Sequence, residues 1–261
     1  MRKLNVHNIE KNLKNNFLAQ NIIVYDELIS TQSLAHKLAL AGSKEGTIIV
    51  SNIQTHGTGR YSRSWFSPLG GLWFSIILRP NNICIPIQKL NLISGLTIVK
   101  TLNRLYKINA FLKWPNDVII QDKKISGVIT ESNYLGNKLD YVVLGIGINV
   151  NFEINSLPTS IQSTSTTLQT ELNKKVNLIK LLTELLNELA LSYLNLSAPN
   201  PIIIPEWKLL IDTLNQKVII SLNGVDYTGT ATDVFEDGSL QLTLLDGSHK
   251  NFFDGKLRYL K

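Results

Sequence analysis

Apolar residues recur along this chain at two spacings. Leu178, Leu181, Leu182, Leu185 and Leu189 fall on one helical face and predict the clearest amphipathic helix in the sequence. Residues 90–106 keep helical spacing through Leu90, Ile93, Ile98, Leu102 and Leu105, and residues 1–20 do so through Leu4, Ile9, Leu13 and Phe17. A shorter helix is expected over 33–41, where Ser30 or Thr31 stands ready as its cap. Short apolar runs bounded by turn residues predict strands at 22–25, 47–51, 72–78, 118–121, 125–131 and 141–149. Residues 156–167 are rich in Ser and Thr and predict a loop.

The pattern changes after Asn215. Alternating runs at 218–222, 227–234, 240–244 and 250–253 are separated by Asn223-Gly224, Asp237-Gly238 and Asp246-Gly247, dipeptides that favour tight turns between antiparallel strands. The chain therefore reads as α+β, with one large domain over 1–214 and a small β-barrel over 215–261. Residues 1–21 form a helical extension of the first.

Composition narrows this picture only a little. The formal net charge of +6 points to a polyanionic partner such as a nucleic acid, a nucleotide or an acidic protein. Lys and Arg are scattered singly and in pairs, so charge alone does not choose among the three. Cys84 is the only cysteine, which excludes a disulfide framework and a thiolate metal site. No signal-peptide pattern is present, and no apolar run approaches the ~20 residues of a membrane span. A cytoplasmic protein without membrane attachment is expected.

Two stretches carry candidate chemistry. After the strand at 47–51, residues 54–65 gather Gln54, Gly57, Thr58, Gly59, Arg60, Arg63 and Trp65 in one polar loop. Glycines let backbone N–H groups approach a ligand, and arginines offer planar forks for carboxylate or phosphate oxygens. Taken alone, the segment also fits a mobile basic surface loop. The second stretch is Lys113-Trp114-Pro115-Asn116-Asp117, where proline breaks a strand before two turn formers. It reads either as a turn with a packed tryptophan or as a polar pocket placing Asn116 and Asp117 near a metal-bound phosphate. Lys124 begins an apolar strand beside Gly127, a better position for gripping an anion than most lysines have.

Other chemistries lack their residues. The phosphate-loop and His-Glu-x-x-His motifs are absent, the four histidines have no ligand spacing, and no nucleophile elbow or dinucleotide fingerprint occurs. No metal site built from side chains is expected. What remains is a set of donors and cations, suited to an enzyme that positions two substrates and neutralises charge.

Four ordered motifs resemble those of the biotin protein ligases. They are Ser30-Thr31-Gln32, the run from Gln54 through Gly57 and Arg60 to Arg63-Ser64-Trp65, Lys113 to Asp117 followed by Lys124-Ile125-Ser126-Gly127, and Gly145 to Asn149. The likeness extends over roughly residues 22–261. The family's loop pattern is G-R-G-R-x-G-R-x-W, and here Thr58 replaces its first arginine and Ser62 its third glycine.

The resemblance implies a mixed-sheet catalytic domain of the biotin/lipoate ligase type and a C-terminal barrel. It also implies the reaction: biotin and ATP form biotinyl-5′-AMP, and the biotinyl group passes to a lysine of a biotin carboxyl carrier protein. That carrier belongs to acetyl-CoA carboxylase or another biotin-dependent carboxylase. Biotin would meet Ser30, Thr31, Gln32, Gln54, Gly57, Thr58, Gly59, Arg60, Lys124 and Gly127. ATP would meet Arg63, Trp65, Asn116, Asp117, Lys124 and Asn149, with Mg²⁺ on its phosphates. Lys124 and Arg60 would act on the reacting groups, and Asp117 would take the acceptor proton. For Trp65, packing on the adenylate and anchoring the loop both fit.

Two alternatives give way to this reading. A lipoate or octanoate ligase of the same fold would lack the Gly-Arg loop and the Lys-Trp-Pro-Asn-Asp stretch. A DNA-binding repressor would need a winged helix, and residues 1–21 are too few for one, so no specific DNA partner is expected. Monomer and homodimer both stay open.

Overall fold

The computed structural model describes residues 4–14, 18–80, 87–196 and 203–260, so Cys84 and Phe17 lie outside the described residues. The helix expected over 1–20 is present only as α1 (Val6–Glu10), started by Asn5, whose side chain accepts from the Asn8 N–H at 2.9 Å. Two bonds, one local and one to a distant residue, follow its end. The Asn12 amide donates back to the Asn8 carbonyl at 2.8 Å, and the Lys14 N–H donates to Asn187, which turns the chain onto a later helix.

Seven strands form the main sheet: β1 (Asn21–Leu28), β2 (Thr47–Gln54), β3 (Leu72–Leu78), β4 (Phe111–Lys113), β5 (Asp117–Ile120), β6 (Lys123–Leu135) and β7 (Lys138–Ile148). Their order is β1-β2-β3-β7-β6-β5-β4. Only β1 and β2 run parallel, because helix α2 (Thr31–Leu40) carries the chain back between them; the remaining ladders are antiparallel. The sheet is therefore mixed, in the α+β class expected.

Strand alternation gives this sheet two unlike faces. On one, Leu72, Phe74, Ile76 and Leu78 of β3 join Val142, Leu144, Ile146 and Ile148 of β7 in the large apolar core. Helices α3 (Ile87–Tyr106) and α6 (Leu178–Asn195) pack on that side, α6 through Leu181, Leu182, Leu185 and Leu189. The opposite face carries Trp73, Ser75 and Ile77 on β3, beside Gly147, Gly145 and Val143 on β7 and Gly127, Ile129 and Glu131 on β6. Helix α2 covers part of it with Ala35 and Ala39, which sit against Ile49, Ile77 and Val143. Where α2 ends, the small residues leave open space.

Three short helices were not foreseen. They are α4 (Thr159–Gln162), inside the expected loop, α5 (Leu168–Leu172) and α7 (Ile203–Leu210). Among the described residues, no helix is long and apolar enough to cross a membrane.

The last five strands are β8 (Lys217–Leu222), β9 (Val225–Val234), β10 (Leu240–Leu244), β11 (His249–Phe252) and β12 (Lys256–Tyr259), all antiparallel in the order β11-β10-β9-β8-β12. The sheet curls strongly, since only residues 253–255 link its two edge strands, a reach of at most about 14 Å. No ladder joins β11 to β12 among the described residues, so the small barrel expected here is a curled sheet that is not closed. Its inner residues Val218, Ile220, Val234, Leu240 and Phe252 belong to the same apolar cluster as Leu90, Leu92 and Trp114. The buried Trp114 indole N–H also donates to the Gly238 carbonyl at 3.1 Å, which ties the β4–β5 turn to this sheet.

Candidate active site

The open region above Gly127, Gly145 and Gly147 is a cavity of about 560 Å³, a size usual for small-molecule sites. A Cβ on Gly145 would lie 2.5 Å from the Gln32 side-chain carbonyl, and one on Gly147 2.5 Å from the Trp65 indole nitrogen. On Gly127 it would crowd both Trp65 and the Lys124 ammonium. The glycines thus give three side chains their places over the sheet.

One end of the cavity is a hydrogen-bonded polar relay. Ser30 caps α2, its hydroxyl accepting from the Ser33 N–H at 3.4 Å, and this turn presents Thr31 and Gln32 inward. The Gln54 carbonyl accepts from the Thr31 N–H at 2.8 Å and from its hydroxyl at 3.1 Å, while the Gln54 amide donates to Ser67 at 2.8 Å. Ser75, buried on β3, lies 2.9 Å from the Thr31 hydroxyl and donates to Gln32 at 3.0 Å. Beyond it, the Gln32 amide donates to Glu131 at 2.8 Å, and His36 Nε2 stands 3.0 Å from the same carboxylate. The His36 contact, followed by that of Gln32, holds the Glu131 carboxyl below its ordinary range against the opposing effect of burial.

The other end is cationic. Arg60, Arg63, Lys113, Lys124 and Lys256 line the cavity against two carboxylates, Asp117 and Asp122. The β5–β6 hairpin sets Lys124 Nζ 2.6 Å from Asp117 Oδ1, and the ammonium stands 5.0 Å over the Trp65 ring. Burial pulls Lys113 below its ordinary value, with Asp117 the first of the charges opposing that shift. Such an excess of positive charge in a partly desolvated cleft suits a multiply charged anion.

Residues 54–67 fold as an irregular hairpin beside this end. Gln54 bridges Ser67 and Thr58 bridges Ser64, while the Trp65 N–H donates to Gly57 at 2.8 Å. At the tip, Tyr61 and Ser62 both adopt positive φ, and Arg60 donates to Asn116 Oδ1 at 2.8 Å. Asn116 is held in turn by its own donation to the Val128 carbonyl at 2.6 Å. Desolvation lowers the Arg60 pKa from its ordinary value, with Tyr61 opposing most strongly, and a guanidinium so placed stays charged. The Trp65 indole N–H is buried without a hydrogen-bond partner among the described residues.

Thirteen of the sequence-derived candidates line this single cavity: Ser30, Thr31, Gln32, Gln54, Thr58, Gly59, Arg60, Arg63, Trp65, Asn116, Asp117, Lys124 and Gly127. Two do not. Gly57 sits behind the loop, where a Cβ would strike the Trp65 carbonyl at 2.4 Å. Asn149 is buried off the cavity, and its amide donates to the carbonyls of Thr166 at 3.0 Å and Lys124 at 3.4 Å. It clamps the end of β7 to the segments that flank it. Sequence reasoning also missed Ser75 and Asp122 and the C-terminal contribution from Gly255, Lys256 and Leu257, which line the cavity, and Glu131, which braces Gln32 from behind it. Ser75 is the one polar residue of the run 72–78, a signal that acquires its meaning only from the register against Gly145. Nothing in the sequence marks which C-terminal turn would reach the cavity.

Residues 26–149 match the model of the biotin/lipoate A/B protein ligase family. Over 179 residues the chain is 38% identical to the bifunctional ligase/repressor BirA of Bacillus subtilis strain 168, covering 67% of this chain and 54% of that protein. It thus spans about half the length of the Bacillus relatives it matches. It is 26% identical to the biotin–[acetyl-CoA-carboxylase] ligase of Mycobacterium tuberculosis, over 80% of this chain and 77% of that one. The structure superposes with a TM-score of 0.79 on the biotin protein ligase from Aquifex aeolicus in complex with biotin and ATP, at 30% identity, covering 93% of this chain and 99% of the other.

Proposed function

The chain belongs to the biotin protein ligases of the biotin/lipoate A/B protein ligase family, and from that premise we propose that it is an ATP-dependent biotin–[biotin carboxyl carrier protein] ligase. One observation carries the reading: a single cavity joins a polar hydrogen-bonding relay at one end to a cation cluster at the other. Biotin has a matching polarity, with a ureido ring at one end and a carboxylate at the other. Hydroxyls of Ser30 and Thr31 both donate and accept, as a ureido group requires, and the Gln54 amide adds a partner. Gln32, braced by Ser75 and Glu131, completes that end.

Lys124 then meets the carboxylate. In the first half-reaction a carboxylate oxygen attacks the α-phosphorus of ATP, forming the acyl phosphate bond as pyrophosphate leaves. Both reactants are anions, so Arg60, Arg63 and Lys124 lower the barrier by offsetting their repulsion. Trp65 packs beside them and offers its unpaired N–H to a ligand oxygen. In the second half-reaction the carrier lysine attacks the acyl carbon and AMP leaves. That amine must first lose a proton that it ordinarily holds to about pH 10.4. Asp117, the carboxylate beside Lys124, is placed to take it.

Mg²⁺ fits as an ion carried on the phosphates. No group of three or more His, Cys, Asp or Glu among the described residues could cage a metal, whereas Asp117 and Asp122 both face the cation end. They would hold the ion, which supplies charge neutralisation on the phosphates. Residues 1–214 form the catalytic unit in this reading, and 215–261 a C-terminal unit closing one side of it. The setting is cytoplasmic, and the acceptor is the carrier domain of acetyl-CoA carboxylase or a related carboxylase.

Pyrophosphate–ATP exchange tests the first half-reaction. Exchange should depend on biotin and Mg²⁺ and be unaffected by lipoate or octanoate. Exchange driven as well by lipoate as by biotin would overturn the assignment.

A further inference from the structure

The tip of the Gly-Arg loop is tied to the C-terminal sheet. Asp254, in the link between β11 and β12, forms an ion pair with Arg60 and accepts a hydrogen bond from the Tyr61 hydroxyl at 2.5 Å. The Tyr61 ring lies 5.2 Å from the guanidinium carbons of both Arg60 and Arg63. One aspartate from the last 10 residues therefore gathers the aromatic and the cations at the loop tip, and the next three residues border the cavity.

This loop has particular need of an anchor. Its tip turns through two consecutive left-handed residues, Tyr61 and Ser62, neither of them glycine, a conformation L side chains adopt at a cost. Ser62 occupies the place where the family pattern carries glycine, and Thr58 supplies no charge where the pattern carries arginine. Local sequence thus favours the closed loop less than the pattern does, and contacts from outside have to offset the difference. Asn116 provides one and Asp254 the other.

We propose that Asp254 is a positioning residue: through Arg60 and Tyr61 it holds the loop closed, so that the C-terminal sheet governs how long the activated acyl group stays in the cavity. Asp254 contacts no reacting atom in this scheme. The inference rests on the ligase reading for its kinetic consequence, but the closed loop itself is a property of the ligand-free chain.

The test uses the full chain with Asp254→Asn, Asp254→Glu, Tyr61→Phe and the Tyr61→Phe/Asp254→Asn pair. Trypsin cleavage after Arg60 or Arg63 in the ligand-free protein reads loop opening without any reaction. Asp254→Asn should speed it about tenfold, the loss expected for one charge-assisted contact, with Asp254→Glu recovering part. In the presence of biotin and Mg-ATP, escape of biotinyl-AMP, read as labelling of serum albumin, should rise by a similar factor. Adenylate formation in a single turnover should stay within about twofold of the parent, because no cation is removed. The double variant should lose little more than Asp254→Asn alone, since the Tyr61 hydrogen bond acts through the same aspartate whose charge is already gone. Parental cleavage and albumin labelling in Asp254→Asn, or full additivity in the pair, would overturn the proposal. If Asp254→Asn fails to fold, Tyr61→Phe decides alone, with faster loop cleavage supporting the latch and parental cleavage sinking it. A parent chain that makes no biotinyl-AMP would remove the ligase reading, while the cleavage comparison would still judge the latch.

Discussion

At the residue scale, the proposed function turns on Lys124. Two glycine-faced strands and the Trp65 ring leave its ammonium one carboxylate partner among the described residues, Asp117, at 2.6 Å. Both side chains are about a third exposed or less, so the pair contributes at most about 1 kcal/mol to folding. Its effect on a developing acyl phosphate should be far larger, because a preorganised cation in a partly dry site needs no reorganisation. Lys124→Ala is therefore expected to slow pyrophosphate release by about 10²- to 10³-fold while lowering the unfolding temperature by less than about 4 °C. A folded variant releasing pyrophosphate at the parental rate would make Lys124 an ordinary surface lysine. Residues of this kind were legible because their types are unusual in their setting: a lysine opening an apolar strand, or two arginines among glycines. Ser75, alone in an apolar run, and Glu131, one of four polar residues at 130–133, were not, since neither has a functional meaning until its register against Gly145 and Val143 is known.

At the element scale, the two-faced sheet is the device that makes room for a ligand. Residues 127, 145 and 147 are glycines on one face, while their strand neighbours Val128, Leu144, Ile146 and Ile148 fill the core on the other. Gly147→Ala would place a methyl group 2.5 Å from Trp65 Nε1, and Trp65 cannot swing freely because Trp73 stands edge-on at 6.3 Å between ring centres. Urea denaturation should show a loss of about 1–3 kcal/mol, the range for overpacked sites. Gly59→Ala, whose added carbon meets only the Arg63 carbonyl at an ordinary 3.5 Å, should stay within about 0.5 kcal/mol of the parent. Equal stability of the two variants would contradict this packing account. The long helices and buried strands were readable from period alone, but β4 and α4, with three and four residues, are too short to display one. Helix α7 was hidden by Pro205, which reads as a breaker yet sits in the first turn, where no N–H is needed. The small C-terminal barrel was expected from turn spacing, and spacing cannot say whether the edge strands of a curled sheet meet.

At the scale of the whole molecule, cavity, loop and C-terminal sheet form one continuous construction. The apolar core runs without a break from α3 and the main sheet into β8–β11, and Trp114, next to the Asn116–Asp117 turn, is pinned to Gly238 across that junction. The groups proposed to grip the nucleotide therefore rest on both sheets, and Asp254 reaches back to the loop from the second. In the proposed reading, this arrangement holds two anionic substrates together among cations and screens the product from water. The most direct test is the intact mass of an apo biotin carboxyl carrier domain incubated with the chain, biotin and Mg-ATP, with lipoate in a parallel reaction. The account predicts one added biotinyl group at a single lysine, with AMP and pyrophosphate released, and no lipoyl product. An unmodified carrier beside a folded chain, or lipoyl transfer equal to or faster than biotinyl transfer, would contradict it.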